Sequence, residues 1–424
     1  MDQQNFDNIK PIVGTNYYQL NYIRMVWPNQ DYFDLTWPRI WNVIANPAMR
    51  EAVFQIWLNR DYTDYAKVTG ETGLTLADWQ PSARMELFIR KDIAAQMWEY
   101  GVLQAAPLQA DPYAKGTIDL TADLTIGSAG NANEQLKSPR NLTIAPDGSI
   151  YVADSLNYRI DHFDASGKLI QSFGTISPGC PYAKVPPPNV PIGTFCEPWG
   201  VAVSPDGQWV YVADTWNHRI QKFSASGAPI KAWGTPNYDP ASSGPFGLWG
   251  PRGIVVDALG HVLVADTGNK RIIVYDADGN FISQFGGDGA DLGQFDEPVG
   301  LALDSQGNLY VADTWNQRIQ VFVPSADKTK YTASAQWSIS GWLSQSLDNK
   351  PYLAADQNGH IFATDPDSFR VLEFTTSGEF VHAWGQNGSA LDNFGTPSGI
   401  AVDSLGGVWV SDASNNRLMH FMVP

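Results

Sequence analysis

The sequence predicts an all-β fold: a six-bladed β-propeller over residues 116–424, preceded by a mainly helical, aromatic-rich segment over 1–115. Three observations carry this reading. A short pattern recurs six times, with an Asp followed five residues later by an Arg: Asp154 and Arg159, Asp214 and Arg219, Asp266 and Arg271, Asp313 and Arg318, Asp365 and Arg370, Asp412 and Arg417. Each copy sits in the same order of short apolar runs and Gly-containing turns, which reads as four antiparallel strands. Finally, the sixth copy stops at Pro424 after its third strand, and a matching fourth-strand pattern, IDLTADLTIG, occurs before the first copy at 118–127. A four-stranded unit cannot bury both of its own faces, so six of them pack face to face in a ring. Residues 117–127 are expected to complete the last blade and remove the open seam.

Each blade starts with an apolar run such as PWGVAV from Pro198 or PVGLAL from Pro298, the innermost strand. A PDG-type turn leads to the second strand, which ends in VAD in four copies, ATD in the fifth and VSD in the sixth. A polar turn then carries an Asn in five copies (Asn157, Asn217, Asn269, Asn316 and Asn415), with Ser368 in the fifth. The third strand reads R-I-x-x-F, and an SASG- or DADG-type turn leads to a fourth strand ending in Phe-Gly or Trp-Gly. Strand alternation puts the Asp-to-Arg turns and the connections between blades on one face, the long-loop face. Six identical Asp–Arg pairs cannot be one active site. Each is expected to tie its own turn by a charge-assisted hydrogen bond.

The long-loop face also carries what differs between blades. The residues after the blade-opening prolines are Arg140, Trp199, Arg252, Val299, Tyr352 and Ser398, and the turns add Trp216, Trp315, Tyr158, His218 and Phe369. Arg140, Trp199, Trp216, Arg252, Trp315 and Tyr352 form a candidate ligand- or partner-binding set at the channel mouth, suited to a sugar or a peptide; the competing reading is that these rings wedge neighbouring blades.

The P-x-G-[VIL]-A-[VL] opening, the Asn-x-Arg-[IVL] core and the Phe-Gly ending resemble the NHL repeat across residues 117–424. The resemblance implies a propeller that binds partners, and the family also includes zinc-dependent amidating lyases. The six His residues occupy no shared inner-strand register, so no catalytic residue, metal ligand or cofactor is assigned. DADGN from Asp276 reads as a hairpin turn rather than a calcium loop, and Asp288, Asp291 and Asp296 as a plain inter-blade loop.

Composition narrows the partner. The net charge is −17 from 27 Lys+Arg against 44 Asp+Glu. Residues 1–115 hold 13 acids against 10 bases, so most of the excess lies on the propeller. A surface this acidic disfavours nucleic acid, and no apolar run is long enough to span a bilayer. Cys180 and Cys196 bracket a Pro-rich inter-blade loop. A disulfide there would close about 17 residues and stabilise by roughly 3 kcal/mol on a chain-entropy model. It would also place the chain in an oxidising, extracytoplasmic or cell-surface setting; two free thiols are the alternative.

In the first 115 residues, Asn46-Pro47 reads as a helix start running to Asn59, Trp37-Pro38 starts a shorter helix, and a third is expected over 81–101. Eighteen aromatics imply packing on the propeller or on a partner. YIRMVWPNQDYFDLTW and IRKDIAAQMWEYG resemble the segment preceding the propeller in bacterial membrane glycosyltransferases of the protein mannosyltransferase type. That resemblance implies the C-terminal part of a longer membrane protein. The expectation is therefore a non-enzymatic binder of a protein or glycan. The alternatives are a hydrolase or lyase with a channel metal and a structural subunit of an oligomeric surface assembly.

Overall fold

The computed structural model describes residues 17–26, 48, 80–90, 111–180, 189–237, 244–342 and 350–424. The chain divides into two compact units, Met1–Ala110 and Asp111–Pro424. In the first, strands Tyr17–Val26 and Gln80–Arg90 pair antiparallel, with Tyr17 opposite Arg90 and Val26 opposite Gln80. This corrects the helix expected over 81–101. Residues 84–90 read R-M-E-L-F-I-R, in which Met85, Leu87 and Ile89 recur with a period of two. That alternation and a ten-residue partner strand outweigh the helical propensity of Met, Glu, Leu and Arg. Residues 91–101 and the helices expected in 37–59 lie outside the described residues, apart from Ala48, which is helical.

The second unit is a ring of six four-stranded antiparallel sheets: 139–173, 198–233, 254–286, 298–338, 353–384, and 397–422 joined by Leu124–Ile126. In the sixth blade Leu124, Thr125 and Ile126 pair with His420, Met419 and Leu418, so the third-strand edge is covered by a segment from the far end of the ring's sequence. Ser411 Oγ donates to the Arg140 carbonyl at 2.5 Å, and the Ser138 amide to Asn416 Oδ1 at 2.9 Å, which ties the sixth blade to the first.

The core lies between blades. Tyr151, Ala153 and Ile160 of blade 1, for example, bury against Val210, Val212 and Phe223 of blade 2. Second-strand residues alternate sides, so one strand feeds the interfaces on both sides of its blade: Tyr211 and Ala213 pack toward blade 3 while Val210 and Val212 pack toward blade 1.

At the axis the inner strands nearly touch. A Cβ at Gly200 would collide with the Arg252 carbonyl, and one at Gly253 would collide with the Val299 carbonyl. In four blades glycine two residues after the opening proline allows this close approach; blades 1 and 5 have Asn141 and Leu353 there.

The segment starting at Asp111 is a strap on blade 5. Tyr113, 6% exposed, sits among Phe374, Phe380 and Ile339, and its hydroxyl accepts the Ser340 amide at 2.9 Å. Asp111 pairs with Arg370 at 2.5 Å, and Thr117 bridges to Ala383 beside the blade's fourth strand.

Candidate functional site: the long-loop face and its channel mouth

The repeated Asp and Arg form a clamp that organises the whole long-loop face. In each blade the second strand ends at the Asp, and the Arg starts the third strand. Between them the turn bends through a left-handed residue after the Asn position (Tyr158, His218, Lys270, Gln317, Phe369, Asn416; φ 52–57°). Each Asp is thereby the cross-strand neighbour of its Arg: Asp154 of Arg159, Asp214 of Arg219, Asp266 of Arg271, Asp313 of Arg318, Asp365 of Arg370 and Asp412 of Arg417.

In blade 2, Asp214 Oδ2 accepts from Arg219 Nε at 2.8 Å, Asn217 Nδ2 at 2.8 Å and Gln221 Nε2 at 2.9 Å, while Oδ1 accepts the Cys196 amide at 2.8 Å. The Arg219 guanidinium then donates to the carbonyls of Val190, Pro191 and Thr194 at 2.7, 2.9 and 2.8 Å. Arg318 grips Ala290, Asp291 and Gln294 in the same way.

Arg159 grips Asn131, Ala132 and Gln135, and its Nε is shared between Asp154 and Asp161. Arg271 holds the carbonyls of Gly244 and Gly247, and its third arm turns to Gln284 Oε1 of its own blade. In blade 6, Asp412 Oδ2 accepts from Asn415 Nδ2 at 2.7 Å and Arg417 Nε at 3.1 Å, and its Oδ1 takes the amides of Gly395 and Thr396. Arg417 in turn grips Ser389, Ala390 and Asn393.

Each pair ties its own turn, as expected, and does more. Both members also fasten the preceding inter-blade loop, because the Arg has donors left over after its Nε meets the Asp, and the second Asp oxygen faces loop amides. Blade 5 lacks the Asn, and there Arg370 holds one loop carbonyl, that of Ser340, and also takes Asp111 of the strap.

All six aspartates are fully buried. Burial pushes Asp214 and Asp313 above the ordinary carboxylate range against the pull of their donors, and pushes Asp266 up to about 6. Asp154 is driven up to about 7, by burial and then by the neighbouring Asp161 carboxylate.

The residues expected at the channel mouth are brought together, but not as an open binding surface. Trp199 is fully buried, Tyr352 is 1% exposed, Arg252 3% and Arg140 7%. The physical reason is that the side chains of this layer cover one another where the inner strands of adjacent blades approach closely at their glycines. Arg140 and Arg252 lie over the Trp199 ring at 4.3 and 4.7 Å. The Tyr352 hydroxyl donates to the Trp199 carbonyl at 3.5 Å, linking blade 5 to blade 2 across the ring. Trp216 and Trp315 are half-buried above this layer. Arg252 lies 5.9 Å from the Trp216 ring, whose Nε1 donates to Glu197 Oε2 at 3.1 Å. Ser398 and Val299 complete the layer and are buried; His218 stacks on Trp249 at 4.2 Å.

Two residues that motif reading missed complete the site, Glu297 and Lys350. Glu297 Oε1 is ion-paired with Arg252 Nη1 and lies 3.3 Å from Lys350 Nζ. Lys350, fully buried, sits 5.0 Å over the Trp315 ring. Burial pushes its pKa down to about 8, Glu297 opposing and Arg252 reinforcing the shift. The signal available was positional. Both stand immediately before a blade-opening proline, where the other blades have Ser138, Glu197, Gly250 and Thr396. Left-handed backbone at this position belongs to the repeat, since Ser138, Glu197, Gly250 and Glu297 all adopt it, φ 50–59°.

The remaining predicted features fall elsewhere. Cys180 and Cys196 form a disulfide, Cα–Cα 5.5 Å. Asp276 closes its hairpin turn by accepting the Asp278 and Asn280 amides. Asp288 and Asp296 both pair with Lys270. His360 and His382 share Glu373, and among the described residues no three His, Cys, Asp or Glu side chains are grouped to hold a metal. No helix among them is long and apolar enough to cross a membrane.

Four of the six copies, residues 195–223, 248–275, 295–322 and 394–421, match the NHL repeat. Protein brain tumor of Drosophila melanogaster is 26% identical over 38% of this chain and 13% of its own length. Peptidyl-glycine alpha-amidating monooxygenase A of Xenopus laevis is 32% identical over 34% of this chain and 15% of its own. The chain thus spans less than a sixth of either relative. The structure of virginiamycin B lyase from Staphylococcus aureus superposes with a TM-score of 0.45 at 16% identity, over 71% of this chain and 89% of that one. The protein carries NHL repeats folded as a six-bladed β-propeller.

Proposed function

We propose that this propeller is a non-enzymatic binding module that captures a protein or glycan partner on its long-loop face, outside the cytoplasm. The observation that carries this reading is the Asp–Arg clamp. It holds inter-blade loops through one to three carbonyls each, while the loop sequences themselves differ from blade to blade. Loops that are variable in sequence and fixed in conformation lose little entropy on binding, which is the physical advantage of preorganisation. The Cys180–Cys196 disulfide fastens one of these loops and supports an oxidising compartment. The resemblance of the N-terminal segment to the pre-propeller region of membrane glycosyltransferases supports a cell-surface setting. Most residues that carry it lie outside those described.

The test is an array of glycans and peptides probed with the full chain and two variants. One variant replaces loop-tip residues of the long-loop face and the other replaces Asp206 and Asp278, on turns of the opposite face. The expected result is binding lost only in the first. Binding insensitive to the first variant, or one stoichiometric zinc or calcium in the purified protein with hydrolytic or lyase activity, overturns the reading.

A further inference from the structure

We propose that the channel mouth is a receptor for a single oxyanionic group, a carboxylate, sulfate or phosphate, taken between Arg252 and Lys350. This rests on the long-loop face being the binding face and specifies what that face recognises.

The first argument is charge. Arg252 and Lys350 come from blades 3 and 5 and share one carboxylate, Glu297, and both cations are almost wholly withdrawn from water. Lys350 is within ion-pair reach of Glu297 but is not aligned for a hydrogen bond with it. Two positive charges in this desolvated layer face Glu297, with Asp367 adding only a weaker attraction on Lys350, so a further anion is favoured. This occurs in a protein whose net charge is −17, so general surface charge does not account for it.

The second argument is the inventory of buried polar atoms lacking a partner. In this layer they are Arg252 Nε, Lys350 Nζ, Trp199 Nε1, Trp315 Nε1 and Ser398 Oγ, contributed by five different blades. The four nitrogens are donors only, and the hydroxyl can also donate. Buried donors in such number are rare in folded proteins, and they call for an acceptor-rich group. An oxyanion supplies only acceptors. A neutral sugar hydroxyl would bring one acceptor and one more donor.

The third is position. The inner-strand layer is closed beneath by Tyr352 and Trp199, and above it stand the half-buried indoles of Trp216 and Trp315. Trp315 covers Lys350, so its side chain must shift to admit the anion.

The experiment is calorimetric titration of the full chain with sodium sulfate, inorganic phosphate and sodium acetate, each at ionic strength matched with sodium chloride. Parallel arms use a short peptide with a free C-terminal carboxylate against its amide, and glucuronate against glucose, to separate peptide from glycan sources. Saturable one-site binding is expected, weakened at least tenfold in Lys350→Met and severalfold in Trp315→Phe, which keeps an aromatic ring but deletes the N–H. Binding should also weaken as pH rises above about 8, where Lys350 loses its charge. Lys222→Met, which removes a lysine stacked on Trp209 of blade 2, should leave affinity unchanged. Equal affinity in Lys350→Met and wild type, or an absence of saturable binding by any probe, overturns the proposal. Array binding that persists on the long-loop face while no anion binds removes this inference alone; loss of both removes the reading of the face.

Discussion

Replacing Arg219 by Met tests whether the repeated Arg is a structural clamp. The substitution keeps length and apolar bulk but deletes the Nε bond to Asp214 and three bonds to the carbonyls of Val190, Pro191 and Thr194. Asp214, fully buried, is then a carboxylate with only neutral donors: Cys196 N, Asn217 Nδ2 and Gln221 Nε2. Removing one member of a buried ion pair costs about 3–5 kcal/mol, mostly from the charge left behind. The carbonyls sit at a partly exposed loop and turn to water, so their loss adds little. Against a domain stability of about 5–15 kcal/mol this is a large fraction, and it should lower the urea midpoint by about 1 M. The double variant Asp214→Asn/Arg219→Met removes the stranded charge and should recover part of the loss. Arg219→Lys should fall between, since an ammonium cannot reproduce the fork. Hydrogen exchange supplies a local readout: the Cys196 amide, held by Asp214, should lose protection in Arg219→Met before the strands do. A midpoint shift below about 0.3 M, with the Cys196 amide still protected, would refute the clamp.

Lys350 gives a pH signature. Its folded pKa lies below the unfolded value, so the unfolded chain binds the extra proton between about pH 8 and 10.5, and stability should rise with pH across that window. The full effect is about 3 kcal/mol; urea melts of wild type and Lys350→Met should show this rise only in wild type, and equal slopes would refute it. Gly253→Ala places a Cβ against the Val299 carbonyl, and overpacking there should cost about 3 kcal/mol; an unchanged thermal melt would show that the inner strands are not in contact. Tyr113→Ala empties the strap's slot beside Phe374 and Phe380 and should cost about 3 kcal/mol or more, so an unaltered melt would detach the strap from the fold. Reducing Cys180–Cys196 should cost roughly 3 kcal/mol, and no change in melting would show that the loop is held by Arg219 alone.

The blades were legible because the propeller writes its symmetry into sequence: an Asp that must end a strand and an Arg that must start the next recur wherever that turn recurs. What the Arg reaches was not legible. Its partners are main-chain carbonyls such as Val190 and Ser389, which carry no side-chain signature. The strand Gln80–Arg90 was hidden for a different reason. Its residues are good helix formers, and only a partner far upstream at Tyr17–Val26, invisible to local propensity, makes its period-two pattern decisive. The candidate site was legible in membership but not in depth. Arg140, Trp199, Arg252 and Tyr352 follow the opening prolines, as the motif showed. Their burial follows from nearby glycines, Gly200, Gly253, Gly300 and Gly399, which draw neighbouring backbones to within contact distance.

Symmetry also separates support from specificity in this molecule. A feature present in all six blades serves the ring, because the ring needs it six times; the Asp–Arg clamp, from Asp154–Arg159 round to Asp412–Arg417, is of this kind. Function is to be sought where equivalent positions diverge. Before the opening proline stand Ser138, Glu197, Gly250, Glu297, Lys350 and Thr396, and after it Arg140, Trp199, Arg252, Val299, Tyr352 and Ser398. Packing alone would be met at these positions by apolar residues such as Val299, which fills its place fully buried. Four of these positions instead bury charged groups, Arg140, Arg252, Glu297 and Lys350, which are costly to bury and make a poorer core. Their concentration in the layer where six blades meet is therefore better explained by what that layer binds than by what it holds together.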